Sequence, residues 1–308
     1  MDETIPIVFA MDVNYLPYAS VATYSLAKNA VSSLKIYWML PHQDLGHAAE
    51  YLNCLADKNI NVSVVPIGTD AFDAWKENGH IARSTYFRLL IPDYINESKV
   101  IYLDCDILVL SDLAEFYKTK MGLYAVGGVA ESAGAPISKM PWHCNDIYIN
   151  AGVLLLNLDA LRSDNFLEKC KQIYAVYQED LIFLDQCIIN KYAENQKFLF
   201  DPKWNQQFSQ SNLKESAWLS IASIERSNII HFIGAIKPWQ DWCYPIVTDF
   251  WWQFANELDL PNLRPTAITT INQKMYLAAT YEMNEKYKEA CSIHSVIIQD
   301  LLAHLAKK

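Results

Sequence analysis

"KVIYLDCDILVL", residues Lys99–Leu110, is an apolar run interrupted by two carboxylates, and the fold prediction starts from it. The run predicts a buried strand, although an ionised carboxylate is costly to bury unless it is paired, hydrogen-bonded or bound to a metal. Strand side chains alternate between faces, so we expect Asp104 and Asp106 to point the same way and Cys105 the other way. Two carboxylates directed at one spot predict a bound cation.

Several other apolar runs in the chain are also continuous rather than alternating. Such runs are typical of strands buried on both faces, which occur in parallel sheets covered by helices. Strands are predicted at 5–12, 34–40, 61–67, 99–110, 123–130, 149–158 and 228–234. Helical patterns fall near 15–30, 43–58, 83–90, 159–178 and 180–193. Strands that alternate with helices predict an α/β fold with a mainly parallel central sheet.

Composition limits the classes of partner. The 308 residues suffice for one large domain or two ordinary ones, and a hydrophobic content of 52% supports a sizeable core. The net charge is −10, and the chain has no basic run apart from the final Lys307–Lys308, so a nucleic-acid partner is not expected. A phosphate-bearing ligand stays compatible with this charge if a metal neutralises it.

The predicted location follows from the cysteines and from hydropathy. The seven cysteines include no CxxC pair, which favours a reducing compartment over a disulfide framework. The N-terminus lacks the basic region of a signal peptide, and no uninterrupted apolar stretch is long enough for a transmembrane helix. We therefore expect a cytoplasmic protein, with at most peripheral attachment to the inner membrane through its C-terminal helix.

Polar side chains elsewhere fall where a ligand of an open α/β sheet would bind, beyond the carboxyl ends of the strands. Mg²⁺ and Mn²⁺ prefer carboxylate oxygens and commonly take further ligands from substrate phosphates, so the two acids predict a metal–diphosphate site. The motifs that accompany them are "FAMDVNY" (9–15), "ARSTYFRLLIP" (82–92), "YINAGVLLLN" (148–157), "LDQCIIN" (184–190) and "IIHFIGAIKPW" (229–239).

Taken in order, these motifs resemble the family 8 retaining glycosyltransferases, which have the GT-A fold. The pattern is most similar to bacterial lipooligosaccharide galactosyltransferases and more distantly to glycogenin, from about residue 5 to residue 245. The resemblance implies a GT-A catalytic domain over 1–260, and residues 261–308 then form a C-terminal helical tail. That tail lacks the strongly basic, aromatic character of the membrane-attaching tails in the most similar relatives.

The resemblance assigns roles to individual residues. It implies Mn²⁺, with Mg²⁺ as the alternative, bound by Asp104, Asp106 and His231. It implies that Asp185 and Gln186 act at the transferred sugar, and that His80 and Glu131 lie on the acceptor side. The residues implied to bind the UDP-sugar donor are Asp12, Asn14, Tyr15, Arg88, Asp104, Asn150, Gly234 and Lys237.

The implied function is metal-dependent transfer of galactose or glucose from a UDP-sugar to an oligosaccharide or glycolipid acceptor, in lipopolysaccharide or other surface glycan synthesis. Retention is compatible with double displacement, for which Asp185 has the right chemistry. It is also compatible with same-face attack, in which a departing phosphate oxygen takes the acceptor's proton. Two alternatives are an inactive sugar-nucleotide-binding protein and a DxD phosphatase, although Leu108 breaks the haloacid-dehalogenase pattern.

Overall fold

The computed structural model describes residues 4–79, 81–131, 146–209, 226–243, 245–261, 263–283 and 285–306. It divides into two compact units. The first lies within Met1–Gln207 and Glu225–His231, and the second within Phe208–Ile224 and Phe232–Lys308. The predicted boundary between a catalytic domain and a tail at residue 260 stays a prediction, and His80 lies outside the described residues.

The strands form two sheets in the described part of the chain. They are β1 Ile5–Ala10, β2 Leu34–Pro41, β3 Val62–Ile67, β4 Lys99–Leu103, β5 Ile107–Val109, β6 Val126–Ala130, β7 Ile149–Asn157, β8 Lys197–Leu199, β9 Gln206–Phe208 and β10 Ile229–Phe232. The larger sheet has seven strands in the order β3-β2-β1-β4-β7-β6-β8, and the smaller has the order β5-β10-β9.

The larger sheet is mainly parallel, as predicted. The neighbours β3–β2, β2–β1, β1–β4 and β6–β8 are parallel, whereas β7 runs antiparallel to both β4 and β6. Every residue of β1 is buried, as are all of β7 except its last residue and all of β4 except its first. Burial on both faces explains why these strands are continuous apolar runs rather than alternating ones.

Three of the five predicted helical patterns differ from the structure, which also has helices outside those patterns. They are α1 Leu16–Asn29, α2 Leu45–Ala56, α3 Ile91–Tyr94, α4 Ala114–Lys118, α5 Leu158–Ser163, α6 Phe166–Tyr177, α7 Leu184–Tyr192, α8 Pro245–Ala255, α9 Ile271–Met283 and α10 Tyr287–Leu305. The segment predicted as one helix over 159–178 is two, because Asn165 adopts a left-handed conformation with φ of 52°. Residues Arg83–Leu90 form a 3₁₀ helix, and α7 begins four residues later than the predicted 180.

The prediction of one continuous strand over 99–110 was wrong. β4 ends at Leu103, and β5 starts at Ile107 in the other sheet, so both acids lie in the turn between two strands. The backbone N–H of Asp104 still donates to the carbonyl of Gly152 (2.8 Å), and the chain then leaves the larger sheet. Asp104 and Asp106 are therefore brought together by the turn that connects the two sheets, and not by the alternation of side chains along one strand.

The second unit contains the helical hairpin α9–α10 near the end of the chain. Its two helices are joined by an ion pair between Lys274 and Asp300 (2.5 Å) and by a contact between His294 Nε2 and Glu282 Oε1 (2.8 Å). Across the ranges given above, no helix is both long and apolar enough to cross a membrane.

Candidate active site

Three side chains with metal-binding atoms meet at the turn after β4. Asp104 and Asp106 come from the turn, and His231 comes from β10, whose register with β5 places it opposite Ile107. His231 Nε2 lies 3.2 Å from Asp106 Oδ1 and 3.6 Å from Asp104 Oδ2, and one donor atom from each residue lies within 4.8 Å of the others. Two carboxylates and an imidazole at these separations suit a divalent cation, so this group could hold one.

Asp104 has one oxygen held by protein and the other directed at the cluster. Its Oδ1 accepts a hydrogen bond from the Tyr102 hydroxyl (2.5 Å) and lies 3.0 Å from the Arg88 guanidinium. Arg88 also lies over the Tyr102 ring, 4.7 Å from its centroid. These contacts leave Oδ2 to face His231, so they orient the carboxylate for a cation.

Arg88 connects the metal-binding group to Asp185. Its Nε lies 2.9 Å from Asp185 Oδ2, and an Nη1 proton is donated to the carbonyl of Ala151 (2.7 Å). Burial alone would lower the pKa of Arg88, but the charges of Asp104 and Asp185 raise it overall. A permanently charged, buried guanidinium therefore holds both carboxylates in place.

Asp185 is a buried carboxylate with an altered acidity. Burial raises its pKa from 3.8 to about 6, although Arg88 and a hydrogen bond from Thr85 lower it. Its Oδ2 is buried and accepts no hydrogen bond within the ranges that the structure describes, because the Arg88 Nε–H points at the carbonyl of Thr85 (3.1 Å). The Asp185 Oδ2 atom is therefore held by the charge of Arg88 and is closed to solvent.

The amides of Asn150 and Gln186 converge on one carboxylate, that of Glu131. Asn150 Nδ2 lies 3.1 Å and Gln186 Nε2 lies 2.8 Å from Glu131 Oε2. The backbone N–H of Ala151 donates to Gln186 Oε1 (2.9 Å), so β7 holds the other end of that amide. The structure thus brings together three residues that the sequence assigned to different motifs.

Gly152 on β7 allows the strand to pass close to the metal-binding group. A Cβ at this position would lie 2.2 Å from His231 Cε1 and 2.7 Å from Asp104 Oδ2. A side chain of any kind would therefore occupy the space that these two ligands use.

The turn after β1 carries the three residues predicted to bind the nucleoside. The Asp12 carboxylate accepts from the backbone N–H of Asn14 (2.9 Å), and the Val13 N–H donates to Asp44 (3.0 Å). Burial, followed by the charge of Asp106, raises the pKa of the Tyr15 hydroxyl. Tyr15 is therefore a neutral phenol whose surroundings include the Asp106 carboxylate of the candidate cation site.

The other predicted residues belong to a different part of the chain. Gly234 has a φ of +82°, which only glycine adopts readily, and the buried Lys237 ammonium donates to the carbonyl of Phe232 (2.7 Å). Both lie in the second unit, so their predicted contact with a diphosphate stays a prediction.

Sequence reasoning missed the residues that hold the predicted ones in place. Tyr102 could have been found, because it precedes Asp104 by two positions in the strand pattern and so points to the same side. Thr85 lies in a 3₁₀ helix and Asn205 follows one, and neither gave a recognisable signal.

Comparison with known proteins identifies the class and then the family. The chain resembles the galactosyltransferase LgtC, solved with donor and acceptor sugar analogues, with a TM-score of 0.72, 24% identity and coverage of 84% of this chain and 98% of that one. This likeness defines the GT-A glycosyltransferase fold. The profile described as Glycosyl transferase family 8 matches residues 6–243, and the chain therefore belongs to this family of glycosyltransferases.

Two similar curated proteins come from Streptococcus pneumoniae and Bacillus subtilis. The glycosyltransferase GlyE of Streptococcus pneumoniae serotype 4 (strain ATCC BAA-334 / TIGR4) is 26% identical over 257 residues, which cover 81% of this chain and 60% of GlyE. General stress protein A of Bacillus subtilis (strain 168) is 27% identical over 257 residues, which cover 77% of this chain and 88% of that protein. The chain thus spans less than two thirds of GlyE and most of General stress protein A.

Proposed function

We propose that this glycosyltransferase transfers galactose or glucose from a UDP-sugar to a saccharide acceptor with the help of a divalent cation, Mn²⁺ in the first place and Mg²⁺ as the alternative. The observation that supports this most is the group of Asp104, Asp106 and His231, tied through Arg88 to Asp185. When bound, a divalent cation stabilises negative charge on a leaving diphosphate as a Lewis acid.

The protein's own groups would bind and orient the donor. Asp12, Asn14 and Tyr15 at the turn after β1 are proposed to bind the uridine, and Gly234 and Lys237 to bind the diphosphate. Asp185, which Arg88 and Thr85 hold in place, is proposed to act at the transferred sugar. Closure over the bound donor would exclude water and limit hydrolysis of the donor.

The contacts of Asp185 and Gln186 favour same-face attack over double displacement. Asp185 is buried and held by Thr85 and Arg88, while both ends of the Gln186 amide are already hydrogen-bonded. Such fixed groups suit positioning the sugar and stabilising positive charge at its anomeric carbon. In this route the bond from that carbon to the UDP oxygen breaks, the bond to the acceptor oxygen forms, and the acceptor's proton moves to the departing phosphate.

We also propose an acceptor of the oligosaccharide or glycolipid type, in lipopolysaccharide or other surface glycan synthesis, with Glu131 on the acceptor side. The likeness of fold to the galactosyltransferase LgtC, which was solved with donor and acceptor sugar analogues, supports this proposal. The same role proposed for His80 rests on sequence alone.

A cytoplasmic location, with at most peripheral membrane attachment, completes the proposal. The sequence has seven scattered cysteines and no CxxC pair, which suits a reducing compartment. Recovery of the protein in a membrane fraction after a high-salt wash would contradict this location.

The experiment that tests the function is a donor screen by UDP release. UDP-galactose and UDP-glucose should release UDP with Mn²⁺ and a lactose-terminated acceptor, and chelation of the metal should abolish the release. Asp106→Asn keeps the shape of the side chain and removes its charge, so it should reduce the rate by about 10²–10³-fold. UDP release by neither donor across a panel of acceptors would favour the inactive sugar-nucleotide-binding protein.

A further inference from the structure

A buried asparagine, Asn205, connects the metal-binding group to the amides at the proposed sugar site. It follows the 3₁₀ helix Pro202–Trp204 and is 1% exposed. Its Oδ1 lies 3.0 Å from His231 Nδ1, and its Nδ2 donates to Asn150 Oδ1 (2.9 Å). Asn205 thus contacts one proposed cation ligand and one proposed donor-binding residue at the same time.

A backbone group fixes the direction of these hydrogen bonds. The Gly152 N–H can only donate, and it lies 2.9 Å from Asn150 Oδ1, so this atom is the acceptor and Asn150 Nδ2 faces Glu131. Asn205 must then present Nδ2 to Asn150 and Oδ1 to His231. His231 can donate to that oxygen only with a proton on Nδ1. In the neutral ring, the lone pair of Nε2 is then directed at the two aspartates.

We propose that Asn205 is a positioning residue of this enzyme. It selects the His231 tautomer that can bind a cation, and it orders Asn150 at the same time. Metal-ligating histidines commonly donate their other ring N–H to such a partner, which fixes the ring and raises its basicity. The inference rests on the proposed function, since it assigns a role toward the proposed cation.

The chain of hydrogen bonds also has a direction. His231 donates to Asn205, Asn205 donates to Asn150, and Asn150 donates to the Glu131 carboxylate, which also accepts from Gln186. Bonds aligned in this way polarise one another in a buried site. Removal of Asn205 should therefore affect both the cation and the groups around Glu131.

Asn157 serves for comparison, because its side chain caps a helix and, within the described part of the chain, contacts none of the residues of the proposed cation site. Asn157 caps α5 by accepting from the backbone N–H of Ala160 (3.1 Å), and it lies at the other end of β7 from Asn150. Loss of such a cap costs about 1 kcal/mol. Asn157→Ala is therefore a control that lowers stability and leaves the cation site intact.

The first test is Mn²⁺ binding to the full-length protein by titration calorimetry, without nucleotide. Asn205→Ala should bind Mn²⁺ about 10–100-fold more weakly than the wild type. It should also change the visible spectrum of bound Co²⁺, whereas Asn157→Ala should leave both unchanged. Thermal melting of each variant shows whether it is folded.

Asn205→Asp separates the selection of the His231 tautomer from the ordering of Asn150. It keeps an oxygen that accepts from His231, adds a negative charge beside that ring, and loses the donor to Asn150. We therefore expect Mn²⁺ affinity no weaker than that of the wild type and a kcat at least about tenfold lower. A Co²⁺ spectrum like that of the wild type in this variant supports the tautomer.

The outcomes distinguish the inference from the proposed function. Equal Mn²⁺ affinity of the wild type and Asn205→Ala would overturn the role of Asn205 and leave the proposed function standing. A loss of Mn²⁺ affinity in Asn205→Asp as large as that in Asn205→Ala would overturn the tautomer selection. Failure of the wild type to bind Mn²⁺ even in the presence of UDP would overturn the cation site and the inference together.

Discussion

Gly152→Ala should abolish cation binding by filling space that two ligands occupy. The added Cβ would lie 2.2 Å from His231 Cε1, whereas ordinary van der Waals contact begins at 3.4 Å. The ring must therefore move by about 1.2 Å, the difference of these values. Asp104 Oδ2, at 2.7 Å from the same Cβ, must move by about 0.7 Å. Metal–ligand distances tolerate changes of only about 0.2 Å.

The effect on binding should exceed the effect on stability. Mutation of a residue that only hydrogen-bonds to a metal ligand weakens metal binding by up to about 100-fold. Displacement of two ligands themselves should therefore weaken Mn²⁺ binding by at least about 100-fold. Overpacking of a core costs about 1–3 kcal/mol. Gly152 lies in a strand and not at a position of positive φ, so the backbone itself tolerates alanine.

Titration calorimetry with Mn²⁺ and thermal melting of the same samples measure the two effects. Gly46→Ala is the matched control, because a Cβ at Gly46 has nothing within 4 Å and the residue lies in α2. It should keep the wild-type Mn²⁺ affinity and a Tm equal to or above that of the wild type. Wild-type Mn²⁺ affinity in a folded Gly152→Ala protein would refute the proposed arrangement of ligands.

Three further predictions concern Asp185, Arg88 and the nucleoside. Folding raises the pKa of Asp185 from 3.8 to about 6, so Asp185 contributes its full stabilisation below pH 3.8 and loses it as the pH rises through about 6. The Tm of the wild type relative to that of Asp185→Asn should therefore fall across this pH window. A constant Tm difference would contradict the pKa shift. Arg88→Met leaves the Asp104 and Asp185 carboxylates without their ion-pair partner and should lower the free energy of unfolding by about 3–5 kcal/mol in urea titrations. The control Lys169→Met, at a half-exposed ion pair, should change the free energy of unfolding by less than about 1 kcal/mol. UDP with Mn²⁺ should raise the Tm more than ADP or GDP does, and equal shifts would contradict uridine recognition.

The core strands were predictable because burial on both faces leaves a continuous apolar pattern. β1 and β7 fall within the predicted runs 5–12 and 149–158. The Asn165 break was not predictable, because asparagine adopts the left-handed conformation only where the surrounding structure requires it.

The pair of acids at the cation group was predictable from the sequence, although the predicted strand geometry was not the geometry that brings them together. The two acids were conspicuous because carboxylates are rare in apolar runs, and this signal survives although they lie in a turn and not in a strand. His231 came from the family resemblance, since a single histidine in an apolar strand has no distinctive pattern. Thr85 and Asn205 could not be found, because their importance lies in contacts between segments distant in the sequence.

The cation site is tested most directly by anomalous scattering from crystals grown with Mn²⁺ and UDP. We expect a manganese peak within about 2.6 Å of an oxygen of Asp104, an oxygen of Asp106 and Nε2 of His231, with the UDP diphosphate beside it. Well-ordered UDP with no manganese peak between these three side chains, or a peak held by other residues, would contradict the account.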